Sequence, residues 1–188
     1  MPRAGDVLDL SPIGAVFCVR KTAEETQGGS FEMEWELLPA TGGTPVHIHP
    51  HATESYEVLA GELDLYVDGI WRRLSAGEAA SVDPGVPHTF RNASDAPVRV
   101  YNTHAPAMRY GEYFEGLHRV VRSGAVSRGR MTLKAILYLS MLMTTYEDEI
   151  RSVKPPHAVM RILASVATWL GYRVAPRGEP QRRGPQSR

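Results

Sequence analysis

From residue 31 to residue 37 the chain alternates without a break. Phe31, Met33, Trp35 and Leu37 are apolar, and Glu32, Glu34 and Glu36 are acidic. A period of two sends the two sets to opposite faces of a strand, one to a core and one to water. Leu63, Leu65 and Val67 repeat the pattern around Asp64 and Tyr66, and Asp68-Gly69 supplies a two-residue hairpin turn into Ile70 and Trp71. Residues 98–104 read as another strand. Short strands with Gly, Pro, Asn and Asp between them predict a sandwich or barrel.

Two glycine-punctuated blocks carry the chemistry. The first is Gly-Thr-Pro-Val-His47-Ile-His49-Pro-His-Ala-Thr-Glu54, followed by Gly61; the second runs from Gly77 through Asp83-Pro84-Gly85 to His88 and Asn92. His47 and His49 are two apart and share a strand face. Pro50 has no N–H to donate, so the chain turns between Pro50 and Thr53. Glu54, Tyr56 and Val58 then alternate onto one face, which returns a carboxylate to the two imidazoles. His88 follows the Asp83-Pro84-Gly85 turn and is expected to close the site from across the barrel. An isolated H-x-H is usually an exposed pair on a strand. With Glu54 and His88 at these separations, three imidazoles and a carboxylate make a first shell for a divalent transition metal.

The blocks resemble the two motifs of the cupin family, G-x5-H-x-H-x4-E-x6-G and G-x5-P-x-G-x2-H-x3-N. Two positions depart from them: Thr41 stands at the first glycine, with Gly42 and Gly43 beside it, and Asp83 at the proline, with Pro84 one place late. The resemblance covers about residues 10–106. Its wording is most similar to single-domain, quercetin-dioxygenase-like cupins. It implies a mainly β fold, a double-stranded β-helix or jelly-roll barrel with the metal inside.

The chain changes character near residue 125. Residues 131–146 carry one charge, Lys134, and run helically behind Thr132 as N-cap. Glu147, Asp148, Glu149 and Arg151 are expected in solvent. Pro155-Pro156 precedes a second helix at 157–170, with Gly171 past its end. The division read from the sequence is thus a barrel over 1–118, a C-terminal helical hairpin over 126–172 and a disordered basic tail over 173–188. That tail holds five Arg and one Glu, a net of +4, in a chain of net charge zero. The apolar runs fall short of the roughly 20 residues that span a bilayer, so no transmembrane segment is expected. The hairpin is expected to pack on the barrel or on a second copy, making a homodimer. Zero net charge gives no bulk attraction for nucleic acid, and the apolar helices offer no basic reading face. The start, Met-Pro-Arg-Ala-Gly-Asp-Val, lacks the apolar core of a signal peptide, so a cytoplasmic location is expected. Cys18 allows no intrachain disulfide and reads as a core residue.

The expected metal ligands are His47, His49, Glu54 and His88, holding Fe(II), Mn(II), Ni(II), Co(II), Cu(II) or Zn(II). A tetrahedral structural zinc site normally uses cysteines, and here four ligands leave room for substrate or O2. Glu54 and His104 are the candidate catalytic groups, and Tyr56, Phe90, Asn102 and His51 the candidate substrate contacts. His104 has a competing reading as a hydrogen-bonded structural histidine. The leading functional expectation is a dioxygenase-type oxidoreductase acting on a small organic molecule. The alternatives are a non-redox isomerase, cyclase, lyase or decarboxylase using the metal as Lewis acid, and a metabolite-binding barrel without catalysis.

Overall fold

The structure, a computed structural model, describes residues 1–125 and 132–174. Two antiparallel sheets pack face to face as a jelly-roll barrel. The strands are β1 (Val7–Leu10), β2 (Ala15–Lys21), β3 (Phe31–Leu37), β4 (Thr41–Gly42), β5 (His47–Ile48), β6 (Thr53–Ala60), β7 (Glu62–Val67), β8 (Ile70–Ser75), β9 (Ala79–Val82), β10 (His88–Asn92), β11 (Val98–Ala105) and β12 (Arg151–Ser152). One sheet has the order β1-β2-β3-β11-β6-β9; the other has β12-β5-β10-β7-β8, with β4 beside β10. Among the described residues three α-helices come after β11, with β12 between the second and third: α1 (Tyr110–Arg122), α2 (Leu133–Thr145) and α3 (His157–Trp169).

The alternation sorts side chains as the sequence predicts. Phe31, Met33, Trp35 and Leu37 are all buried. Trp35 stacks on Phe17 with ring centroids 4.9 Å apart and lies against Phe90 at 5.0 Å. Offset aromatic pairs of this kind add to the burial of their area. On the outer face, Glu34 pairs with Arg20 and Arg99. Asp68 and Gly69 both take positive φ, as a tight hairpin between β7 and β8 requires.

Asn92 anchors the turn between β10 and β11. Its Nδ2 donates to the carbonyls of Leu37, Leu38 and Ala96, and its Oδ1 accepts from Ser94. Gly43 allows the closest backbone approach in this region: a Cβ there would stand 2.2 Å from the Phe90 carbonyl oxygen.

Several expectations need correction. Cys18 is half-buried, because Phe17 and Val19 take the inward positions of β2 and turn it outward. Asp64 is shielded, held between Arg73 and Arg91 on the two neighbouring strands. Helix α1 lies where the sequence reading placed no helix, and it runs past residue 118. Tyr110, Tyr113, Phe114, Leu117, Val120 and Val121 face inward along it, an apolar stripe at helical spacing.

The C-terminal pair forms as predicted in outline. Thr132 caps α2 by accepting from the Ala135 N–H, and Gly171 takes φ +84° past the end of α3. Their connection was expected in solvent, yet Glu149 and Ile150 are buried, and Arg151 and Ser152 form β12 against β5. The hairpin therefore extends a barrel sheet. The first residues of the expected hairpin, 126–131, and most of the expected tail, 175–188, lie outside the described residues. Among the described residues, no helix is long and apolar enough to cross a membrane.

Candidate metal centre

Four buried side chains converge between the sheets: His47, His49, Glu54 and His88, each offering a ligand atom within 4.8 Å of the others. His47 lies on β5 and His49 just beyond it, before Pro50. Glu54 comes from β6 in the opposite sheet. His88 lies on β10, where it is the register partner of His47. The sequence reading put His88 across the barrel; it is Glu54 that comes from across, and His88 stands beside His47.

Each imidazole is oriented from behind. His47 Nδ1 lies 2.9 Å from the Pro45 carbonyl, His49 Nδ1 2.6 Å from the Glu149 carbonyl, and His88 Nδ1 2.8 Å from the Val86 carbonyl. A carbonyl oxygen only accepts, so the network assigns the proton to Nδ1 in all three rings. That tautomer leaves a lone pair on each Nε2. Yet His49 Nε2 stands 2.9 Å and His88 Nε2 2.8 Å from Glu54 Oε2. A lone pair facing a carboxylate oxygen is repulsive, and the contact is relieved either by a second proton at Nε2, which makes the ring an imidazolium, or by a cation shared by the two atoms. A divalent metal would satisfy the whole set at once, with the backbone carbonyls fixing the candidate ligands from outside.

The electrostatics agree. Burial pushes the His47 imidazole well below its usual range, and the charges of His88 and His49 add to this. For His88, burial also lowers the pKa, but its hydrogen bond to Glu54 outweighs it and the net shift is upward. Burial alone would raise the Glu54 carboxyl; the surrounding imidazoles outweigh it and hold the group ionised, well below the usual carboxylate range. Three imidazoles around one buried carboxylate cannot all carry a second proton, and a metal removes that conflict.

The other residues named from sequence divide. Asn102 and His104, on β11, reach the cluster: Asn102 Nδ2 donates to Glu54 Oε1 at 2.8 Å, and His104 Nε2 stands 3.4 Å from the same oxygen. Burial holds the His104 imidazole neutral, down to about 3. Tyr56 and Phe90 are buried; Phe90 packs against Trp35 and Tyr56, and burial together with the Glu54 charge pushes the Tyr56 phenol well up. His51 is not brought in. It is exposed, with Nε2 4.0 Å from Asp148.

Two groups escaped the sequence reading. Tyr110 stacks against His104 at 4.1 Å between ring centroids, and its hydroxyl donates to the Glu149 carbonyl. That carbonyl also receives His49. Tyr110 was legible as the first inward residue of α1. The Glu149 contribution is a backbone carbonyl, which no residue type announces.

Comparison with known proteins agrees with this geometry. Residues 33–104 match the Cupin domain family model. The chain is 34% identical over 64 residues to quercetin 2,3-dioxygenase of Bacillus subtilis (strain 168), a match covering 32% of this chain and 19% of that protein. It thus spans about a fifth of that relative's length. The structure of KdgF from Halomonas sp. superposes with a TM-score of 0.50 at 19% identity, covering 56% of this chain and 90% of that one, a likeness of fold. Jelly-roll topology, motif register and family match coincide on the same strands: residues 33–104 form a cupin domain.

Proposed function

We propose that this protein is a metal-dependent oxidoreductase of the dioxygenase type, acting on a small organic molecule at the His47, His49, Glu54 and His88 centre. The observation that carries the reading is the arrangement of those four groups, with every imidazole Nδ1 tied to a backbone carbonyl and the Nε2 atoms of His49 and His88 turned toward the Glu54 carboxylate. The partial likeness to a quercetin dioxygenase supports the reaction type. A bound divalent transition metal would supply a redox or Lewis-acid centre with positions open to substrate oxygen.

The chain's own residues suit a flat, oxygen-rich substrate. Trp35 Nε1, Tyr56 OH, Asn102 Oδ1 and His104 Nδ1 are buried without a well-formed hydrogen bond. Buried polar atoms normally find partners, and these four offer donors and acceptors to a carbonyl or hydroxyl. With its Nε2 toward Glu54, the neutral His104 ring presents a lone pair at Nδ1. From there it can accept a hydrogen bond from an enol or phenol and orient it. Asn102 holds Glu54 and keeps Oδ1 free to accept from the same substrate. Phe90, Tyr56 and Tyr110 surround the site with aromatic surface that limits water.

The unpaired His104 Nδ1 also favours a second reading, proton transfer without O2, as in an isomerase, lyase, cyclase or decarboxylase. Oxygen consumption by the metal-loaded protein on a panel of flavonols and β-diketones separates the two. O2 uptake that His104→Ala slows by roughly a hundredfold or more supports the first reading. Substrate conversion under anaerobic conditions supports the second, and absence of turnover on any compound would contradict both.

A further inference from the structure

Helix α3 buries Met160, Ala164 and Ala167 against the rest of the protein and leaves a second apolar stripe in the open. Val159, Ile162, Val166 and Trp169 recur at helical spacing on that stripe, with Ile162 64% and Trp169 84% exposed. The two helices run antiparallel: Ser140 reaches Met160, and the Tyr138 ring packs on Tyr172. The start of α2 therefore lies beside the end of α3, and Leu133, 70% exposed, joins the same end.

The charges there have one sign. Residues 132–146 and 157–174 contain Lys134, Arg161 and Arg173 and no Asp or Glu. Arg161 leans toward Glu147 at the opposite end of the pair, whereas Lys134 and Arg173 are exposed at the apolar end. The sequence continues from that end into residues 174–188, with four more Arg and one Glu. Over residues 1–172 the net charge is −4, since residues 173–188 carry +4 in a neutral chain. A second copy seated isologously on this face would set basic groups against basic groups. An anionic surface complements both the charge and the exposed Trp, which favours membrane interfaces.

We infer that the exposed stripe of α3, with the adjoining start of α2, docks on an anionic phospholipid bilayer, the helix lying in the plane of the interface. The acidic balance of the rest of the chain turns the barrel away from the membrane. Docking would then place the candidate metal centre near the source of a membrane-partitioned aromatic substrate.

The test is sedimentation of the full-length protein with vesicles of phosphatidylcholine, alone or with about a third phosphatidylglycerol. Binding should be at least about tenfold stronger to the anionic vesicles and should weaken in high salt. Ile162→Ser with Trp169→Ser should abolish it while far-UV circular dichroism stays unchanged. Should that variant not fold, brominated phosphatidylglycerol should quench the fluorescence of the wild type, and Trp169→Phe should remove the quenched component. Equal binding to neutral vesicles, or a folded double variant that binds like the wild type, would overturn the inference. So would a wild-type dimer that ignores vesicles and falls apart in the double variant, which would make a second copy the occupant.

Discussion

His49 Nδ1 donates to the backbone carbonyl of Glu149, 2.6 Å away and 100 positions along the chain. Beside it, Ser152 is the register partner of His47, and the Tyr110 hydroxyl donates to the same Glu149 carbonyl at 2.8 Å. The connection between α2 and α3 is thus part of the wall that orients two of the candidate ligands. Removing a group that orients a ligand typically costs about 10- to 100-fold in metal affinity. Tyr110→Phe should lower affinity by about tenfold with little change in melting temperature, read by chelator competition. Deleting residues 126–188 removes the carbonyl and β12 together, so any barrel that remains should bind metal far more weakly than Tyr110→Phe.

His47 and His51 separate a ligand from a surface group. Both flank Pro50 at short range, but His47 is buried in the cluster and His51 is exposed near Asp148. His47→Ala should cut bound metal by more than about tenfold, and His51→Ala should leave it unchanged, by elemental analysis of the purified variants. The reverse result would move the site by a strand register.

Gly43 lies under the Phe90 carbonyl, two residues from the register partner of His47. An added methyl would press on backbone that has no rotamer to escape into. Gly43→Ala should cost about 1–3 kcal/mol by denaturant unfolding. It should also weaken metal binding, because β10 carries His88. An unchanged midpoint would show that the strands part without cost.

Asp64 bridges three strands through Arg73 and Arg91 at 2.9 and 3.1 Å. Its hydrogen bond from Arg73 is the main cause that holds its carboxyl below the ordinary range. A folded-state pKa below the unfolded one means stability that is present above the unfolded value, about 3.9, and lost as pH falls through the folded one. Asp64→Asn should therefore cost about 1 kcal/mol at pH 7, since both arginines are half exposed. The difference from wild type should close as pH drops below about 4. A gap that persists in acid would point to packing instead of charge.

Much of the barrel was legible because its signals are local. Phe31 to Leu37 alternate strictly, Asp68-Gly69 dictates a tight turn, and the spacing of His47, His49, Glu54 and His88 brought out the cluster before any strand was placed. Long-range pairing was not. Nothing near His88 tells that its neighbour is His47 and that Glu54 faces it from the other sheet. Helix α1 was readable from Tyr110, Tyr113, Phe114 and Leu117, but Gly111 and Gly116 weaken its propensity; Gly116 serves there to admit Leu142 of α2. Glu149 was assigned to solvent from its charge, whereas its carbonyl does the work and its side chain accepts from the Arg109 N–H. In the first cupin motif, Thr41 fills the glycine's place and donates to the Gly14 carbonyl, while the close approach falls to Gly43.

The most direct test is elemental analysis of the purified wild type beside His88→Ala, with folding of both checked by circular dichroism. About one transition-metal ion per chain in the wild type, lost in the variant, is the predicted result. A wild type that takes up no divalent metal even on reconstitution, or a His88→Ala protein that keeps its full complement, would contradict the assignment of the cluster as a metal centre.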